Sequence, residues 1–374
     1  MAEPAVFPEP DRIEGAPHPR ETPRLFGQQA AEAAFLEAFS SGRMHHGWLI
    51  SGPRGVGKAT LAWRIARFLL AQPAEDGGMF SDLPSPADLA VSPDHPVARR
   101  VLALSEPGLK LIRRSLNDQG RMRQVIAVED VRGLRDFFGL SAADGGRRVV
   151  IVDAADEMNP NAANALLKLL EEPPSGAVLL LVAHQPSRLL PTIRSRCREL
   201  RLGALGPEDM TAALAQALGD TGTDAAALSE LSGGSVGEAI RILSDDGLAL
   251  YAQLLAVMDG LPAMDRPRLR ALADSVTGRG NEARFDLLVR LVDMAMARVA
   301  RVGATGRPLP EAARGEAALI ARLAPDARAA RGWAELAADL GARARQGRAV
   351  NLDPAALVLD MFLRMENAAR TLAR

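Results

Sequence analysis

Arg147–Leu200 reads RRVVIVDAADEMNPNAANALLKLLEEPPSGAVLLLVAHQPSRLLPTIRSRCREL. Val149–Val152 and Val178–Val182 are short runs of Val, Ile and Leu, the pattern of strands buried on both faces of a parallel sheet. Between them, Ala162, Ala165, Leu166 and Leu169 recur at helical spacing across Asn161–Leu170. Glu171-Glu172-Pro173-Pro174 stops that helix, because proline offers no amide hydrogen and disfavours helix in the residue before it. A strand, a helix and a strand of these lengths form one right-handed crossover unit. Asp153 closes the first strand, so its carboxylate lies at the carboxyl edge of the sheet, where open α/β sheets bind ligands.

Upstream, Gly52-Pro-Arg-Gly55-Val-Gly57-Lys58 has the form G-x-x-x-x-G-K. It follows the apolar run Trp48–Ile50 and precedes a helix predicted over Thr60–Leu70. In that context the glycines let backbone amides turn toward a phosphate, and the helix start adds its positive dipole. Gly52, Gly55, Gly57 and Lys58 are therefore candidate nucleotide-binding residues, with Lys58 directed at the β- and γ-phosphates. The pattern requires Ser or Thr after the lysine to ligate Mg²⁺; position 59 is alanine. Thr60 is no substitute, because one residue along a helix rotates the side chain by ~100°.

The Asp153-Ala-Ala-Asp156 sequence, the NALLKLLEEPP run and Ser195-Arg196-Cys197 resemble the AAA+ clamp-loader family of bacterial DNA polymerase III, its delta-prime branch above all. The resemblance covers about fifty residues without a gap and weakens toward the C-terminus. It implies an α/β P-loop (AAA+ RecA-like) domain with a small helical lid, then an all-α C-terminal domain that joins subunits in a collar. In a working member the central strand ends Asp-Glu, and the glutamate polarises the attacking water. Here Ala154 follows Asp153, which leaves Asp153 either as part of a degenerate nucleotide site or as a cap of its own loop. The sensor-1 position falls at or near His184, and the sensor-2 pattern Gly-Ser-x-Arg appears as Gly234-Ser235-Val236-Gly237. With four parts of the hydrolysis apparatus altered, no independent ATPase is expected. ATP or ADP is expected to bind weakly if at all, no cofactor is required, and no normal Mg²⁺ site remains. The resemblance makes Arg196 the catalytic candidate, an arginine finger reaching the ATP site of a neighbouring subunit; the alternative is an internal salt bridge.

The implied partners are gamma/tau-type ATPase and delta-type subunits, with the sliding clamp and primed DNA met through the complex. At the level of the complex the reaction is the nucleotidyl transfer of a DNA-directed DNA polymerase. Two other readings stand beside this one: a gamma-type loader ATPase, and a nucleotide-binding AAA+ scaffold outside replication. Ala59, Ala154 and Gly237 weigh against the first. Absence of association with a clamp-loading complex would mark the second.

Composition narrows the field further. The 374 residues suffice for two or three domains, and the formal net charge of −1 gives no global attraction to nucleic acid or anionic membrane. A single cysteine excludes an internal disulfide framework and the four-cysteine zinc module common in clamp loaders. Cys197 has no nucleophile's partners and reads as packing. No apolar run approaches the ~18 residues of a membrane span, and the N-terminus lacks the apolar core of a signal peptide, so the cytoplasm is the expected compartment.

Residues 1–22 hold five prolines and predict a flexible leader. The AAA+ domain is expected over 23–204, the lid over 205–245 and the collar domain over 246–374. Within the first, Ala30–Phe39 predicts a helix that serves either core packing or adenine. Gln124–Val128 predicts a strand, Val131–Gly139 a helix and Asp144-Gly-Gly a turn. Pro73–Gly120 is the least regular stretch. His95–Arg100 with Lys110, Arg113, Arg114, Arg121 and Arg123 forms a basic patch, either a solvated face or a contact surface. His45, His46 and His95 lack metal-ligand company. Helices are predicted at Pro207–Leu218, Asp224–Leu231 and Ser235–Leu243 in the lid, then at Leu248–Met258, Arg268–Val276, Glu282–Val302, Glu311–Leu323, Asp326–Ala344 and Pro354–Leu372.

Overall fold

The computed structural model describes residues 9–72, 86–117, 119–139, 146–219, 224–278 and 281–372. The chain divides into two units, Met1–Thr221 with Ser235–Gly237, and Gly222–Gly234 with Glu238–Arg374.

The first unit is built on five parallel strands. These are β1 (Gly47–Ser51), β2 (Leu109–Ile112), β3 (Arg148–Asp153), β4 (Ala177–Ala183) and β5 (Arg198–Arg201), in the order β2-β3-β4-β1-β5. Every residue of β1 and β4 is buried, as their unbroken apolar runs require. Helix α1 (Gln29–Ser40) packs beside β5, while α2 (Lys58–Ala71) lies against β3 and buries residues all round its circumference. Helices α3 (Pro96–Leu102), α4 (Val128–Gly139) and α5 (Pro160–Glu171) follow, and α5 closes the β3–β4 crossover. Asn159 caps α5 by accepting a hydrogen bond from the Ala162 amide at 2.8 Å. Leu166 and Leu170 of α5 pack with Val150, Val152, Leu179 and Leu181 of the sheet. A single turn, α6 (Pro191–Arg194), leads to β5, and α7 (Pro207–Leu218) completes the unit.

Three sequence expectations are corrected here. Gln124–Val128 is not a strand: Ile126 makes one bridge with Met158, and the Ala127 amide then donates to the Asp130 carboxylate, which starts α4. The edge strand is instead Leu109–Ile112, inside the stretch that seemed least regular. Residues 9–22 are not loose. His18 is fully buried with its ring edge-on to Trp63, Asp11 pairs with Arg113 at 2.8 Å, and Arg67 donates to the Arg20 and Thr22 carbonyls. Proline-rich chain loses less entropy on ordering, so a few such fasteners hold it. Residues 1–8, the turn residues Asp144 and Gly145, and part of 73–120 lie outside the described residues.

The second unit is helical. It contains α8 (Ala225–Ser232), most of α9 (Val236–Ser244), α10 (Gly247–Met258), α11 (Arg266–Ser275), α12 (Glu282–Thr305), α13 (Glu316–Leu323), α14 (Ala327–Ala349) and α15 (Pro354–Leu372). Phe285, Leu288, Val292, Met296 and Val299 form the buried stripe of α12, which runs along α14. A buried ionic cluster joins its helices. Glu316, 1% exposed, accepts from Arg298 Nε at 2.5 Å, Tyr251 Oη at 2.6 Å and the Ala312 amide at 2.6 Å. Among the described residues, no helix is long and apolar enough to cross a membrane.

Candidate nucleotide site and the outward arginine

The loop after β1 turns three times through positive φ, at Gly52 (141°), Gly55 (74°) and Gly57 (99°). Space is as restrictive as conformation. A Cβ on Gly52 would strike the Leu202 carbonyl oxygen, and one on Gly55 would strike Ser235 Oγ and lie 3.0 Å from Gly237 Cα. Helix α2 begins at Lys58, and no side chain caps it, so its first amides stay available to an anion. The fold thus brings together Gly52, Gly55, Gly57, Lys58 and Asp153 at the carboxyl edge of the sheet.

Lys58 is turned onto its own loop. Its ammonium donates to the Gly52 carbonyl at 2.8 Å and to the Pro53 carbonyl. Burial lowers its pKa to about 8, against the opposing pull of Asp153 and Asp156. Asp153 is pushed up to about 7, first by burial and then by the Asp11 carboxylate; Lys58 offsets only part of this. Around them, Asp156 accepts from the His184 and Gln185 amides at 3.0 Å each, and Glu157 pairs with Arg54 and Arg114 at 3.0 Å each. Both acids on the loop beyond Asp153 are therefore engaged in holding that loop. The His184 ring is pushed down to about 4 by burial and then by Lys58 and Arg54, and its Nδ1 is buried without a hydrogen-bond partner. It is neutral at pH 7.

These residues fit a phosphate cradle and do not fit a Mg²⁺-dependent hydrolase. The alanine methyl groups at 59 and 154 neither ligate a cation nor orient water, and Gly237 has no side chain to reach a γ-phosphate. Gly237 instead lies backbone to backbone on the loop, its amide donating to the Gly55 carbonyl at 3.0 Å. Among the described residues, no group of three or more His, Cys, Asp or Glu could hold a metal ion.

Arg196 stands apart from this cluster. Its carbonyl lies 3.1 Å from the Cβ position of Gly47, the first residue of β1, whereas the cradle follows the last. Five residues of strand separate the two ends by ~15 Å. The guanidinium reaches Glu171 at 3.1 Å and the Thr192 carbonyl at 3.0 Å, with 38% of the side chain exposed. The internal salt bridge exists, but so exposed a pair is worth under about 1 kcal/mol. Cys197 beside it is pushed up to about 12 by burial, as befits a packing residue.

The basic patch is largely compensated: Arg99 pairs with Asp94, Arg100 with Glu106, Arg113 with Asp11 and Arg114 with Glu157. Gln28, the residue before α1, is buried and exchanges hydrogen bonds with the Gly203 backbone, and Ala31, Phe35 and Ala38 of α1 are buried. Sequence reasoning passed over Asp11 and Ile13, which reach the cradle from the N-terminal segment and carry no local motif.

Residues 27–206 match the family model described as DNA polymerase III, delta subunit. Similar relatives include the DNA polymerase III subunit delta' of Pseudomonas aeruginosa, 38% identical over 233 residues, 62% of this chain and 65% of that protein. The DNA polymerase III subunit gamma/tau of Mycobacterium bovis is 29% identical over 296 residues, 72% of this chain and 48% of that one. The matches thus span about two thirds and about half the length of these relatives. A DNA polymerase III gamma subunit-related protein of Thermotoga maritima is similar at TM-score 0.40 and 16% identity, over 90% of this chain and 99% of that one. Ala59, Ala154 and Gly237 all fall at the cradle, while Arg196 lies away from it.

Proposed function

We infer that the chain is a non-hydrolysing, delta-prime-type subunit of the DNA polymerase III clamp loader. In this reading it lends Arg196 in trans to the ATP site of a gamma/tau-type neighbour while the complex, with a delta-type subunit, places a sliding clamp on primed DNA. The observation that carries it is the separation of Arg196 from its own cradle. An arginine ~15 Å from the phosphate loop of its own chain does not serve that loop, so any phosphate it acts on belongs to another chain. Stabilising charge on a transferring phosphoryl group is the chemistry such an arginine supplies. Nucleotide binding by this chain is weak, needs no metal and serves no chemistry of its own. The expected compartment is the cytoplasm, where the complex works.

The similarity to gamma/tau subunits supports a second reading, that of a loader ATPase. Ala59, Ala154 and Gly237 oppose it, because a transition state spread over the γ-phosphoryl needs those groups placed together. The test is steady-state ATP hydrolysis by the isolated chain, alone and in a mixture with gamma/tau-type and delta-type subunits, clamp and primed DNA. The inferred role predicts no turnover alone and a stimulated rate on assembly. Turnover by the isolated chain, abolished by Lys58→Ala, would replace this reading with the second.

A further inference from the structure

We propose that residues 9–22 form a strap that closes the chain's own nucleotide cradle, so that a nucleoside polyphosphate enters only when the strap lifts. Two points of the segment reach the site. Ile13 Cδ1 lies 2.8 Å from the Cβ position of Gly237, and the Gly237 amide is bonded to Gly55 in the glycine loop. After burial, the charge of the Asp11 carboxylate raises the pKa of Asp153. A polyphosphate on this loop lies on the loop amides at the carboxyl edge of the sheet. The strap sets an apolar side chain against Gly237, whose backbone lies on the loop, and a carboxylate whose charge is felt by Asp153 at that edge. Both must move before a phosphate chain can settle, and the carboxylate repels it meanwhile.

The strap is fastened along its length. Asp11 pairs with Arg113 of the stretch after β2 and with His18, at 2.8 and 2.9 Å. Arg20 pairs with Glu9 and donates to the Leu102 carbonyl at 3.2 Å. Arg12 pairs with Glu9 and Glu21 at 2.8 and 2.7 Å. His18 is buried against Trp63 of α2, and Arg67 of the same helix donates to the Arg20 and Thr22 carbonyls. Burial alone would raise Asp11, yet its hydrogen bond with His18 and the charge of Arg113 hold it below the usual range, so it sits ionised in this place. The proposal rests on Gly52–Lys58 being a phosphate cradle and is independent of the role of Arg196.

Binding of fluorescently labelled ADP to the full chain tests it, with amide hydrogen exchange over residues 10–21 measured on the same samples. The opened variant is Ile13→Gly with Arg113→Ala, which leaves Gly52–Lys58 and Asp153 unchanged. A strap closed nine-tenths of the time or more weakens apparent affinity about tenfold or more. The variant is thus expected to exchange faster over the strap and to bind labelled ADP about tenfold tighter or better, with Lys58→Ala in the same background removing the gain. Faster exchange without tighter binding overturns the strap. Unchanged exchange overturns the fasteners on which it stands, and so does wild-type chain that already binds as tightly as the variant. A gain that survives Lys58→Ala overturns the cradle itself.

Discussion

Glu316 is a buried charge that joins three helices of the helical unit. It is 1% exposed and takes four hydrogen bonds, two from Arg298 at 2.5 and 3.1 Å, one from Tyr251 at 2.6 Å and one from the Ala312 amide at 2.6 Å. Glu316→Gln keeps the shape and removes the charge. Arg298, itself 7% exposed, would keep Glu230 at 2.9 Å, and one amide NH₂ would face existing donors. Breaking a buried pair from one side costs about 3–5 kcal/mol, and the remaining partner Glu230 brings the expectation to about 3 kcal/mol. For a unit of this size that is a fall in Tm of about 6–12 °C. Thermal unfolding followed by circular dichroism reads it directly. The double substitution Arg298→Met with Glu316→Leu, which removes both charges, should recover much of the loss. A Glu316→Gln chain within about 1 kcal/mol of the parent would refute the assignment of this cluster as the fastening of α10, α12 and α13.

Three further outcomes follow from the first unit. Asp153 binds its proton more tightly folded than unfolded, so its contribution to stability is present below pH ~4 and lost as pH rises through about 7. Asp153→Asn should therefore stabilise the chain at pH 8 by on the order of 2 kcal/mol and change little near pH 4; a loss of stability at pH 8 would mean that Lys58 holds the charge. Gly237→Arg supplies the arginine that the Gly-Ser-x-Arg pattern carries, but its Cβ would meet Ile13 at 2.8 Å and Gly55 Cα at 3.0 Å. It should cost about 1–3 kcal/mol, speed exchange over residues 10–21, and give no hydrolysis. Cys197, raised to about 12 by burial, should resist thiol reagents at pH 8 until the chain unfolds; rapid labelling of the folded chain would contradict its packing role.

The centre of the fold was legible because its signals are local. β3, α5 and β4 follow from apolar runs, helical spacing and the Glu171-Glu172-Pro173-Pro174 stop, and the glycine loop from its spacing between a strand and a helix. The sheet's edges were not. β5 is Arg198-Glu-Leu-Arg, with only Leu200 buried, and β2 is four residues, Leu-Lys-Leu-Ile, of which only Ile112 is buried. Edge strands carry little apolar signal because one side meets solvent or loop. Gln124–Val128 has strand composition, yet it spends one residue on a bridge and the next on a helix cap. The candidate site divides in the same way. Gly52–Lys58 and Asp153 announce themselves by motif. Asp11 and Ile13 do not, because their partners Arg113, Gly237 and Asp153 lie about a hundred or more residues away. Composition alone made that segment look loose.

The central claim is that Arg196 works on another chain's ATP. Single-turnover hydrolysis by the complex reconstituted with clamp and primed DNA, comparing the parent chain with Arg196→Ala, tests it most directly. The account predicts that the site facing this chain slows by about 10³-fold or more, seen as lost amplitude in the fast phase, with ATP binding and complex assembly unchanged. A fast phase of full amplitude and unchanged rate would contradict it and leave Arg196 as a surface partner of Glu171.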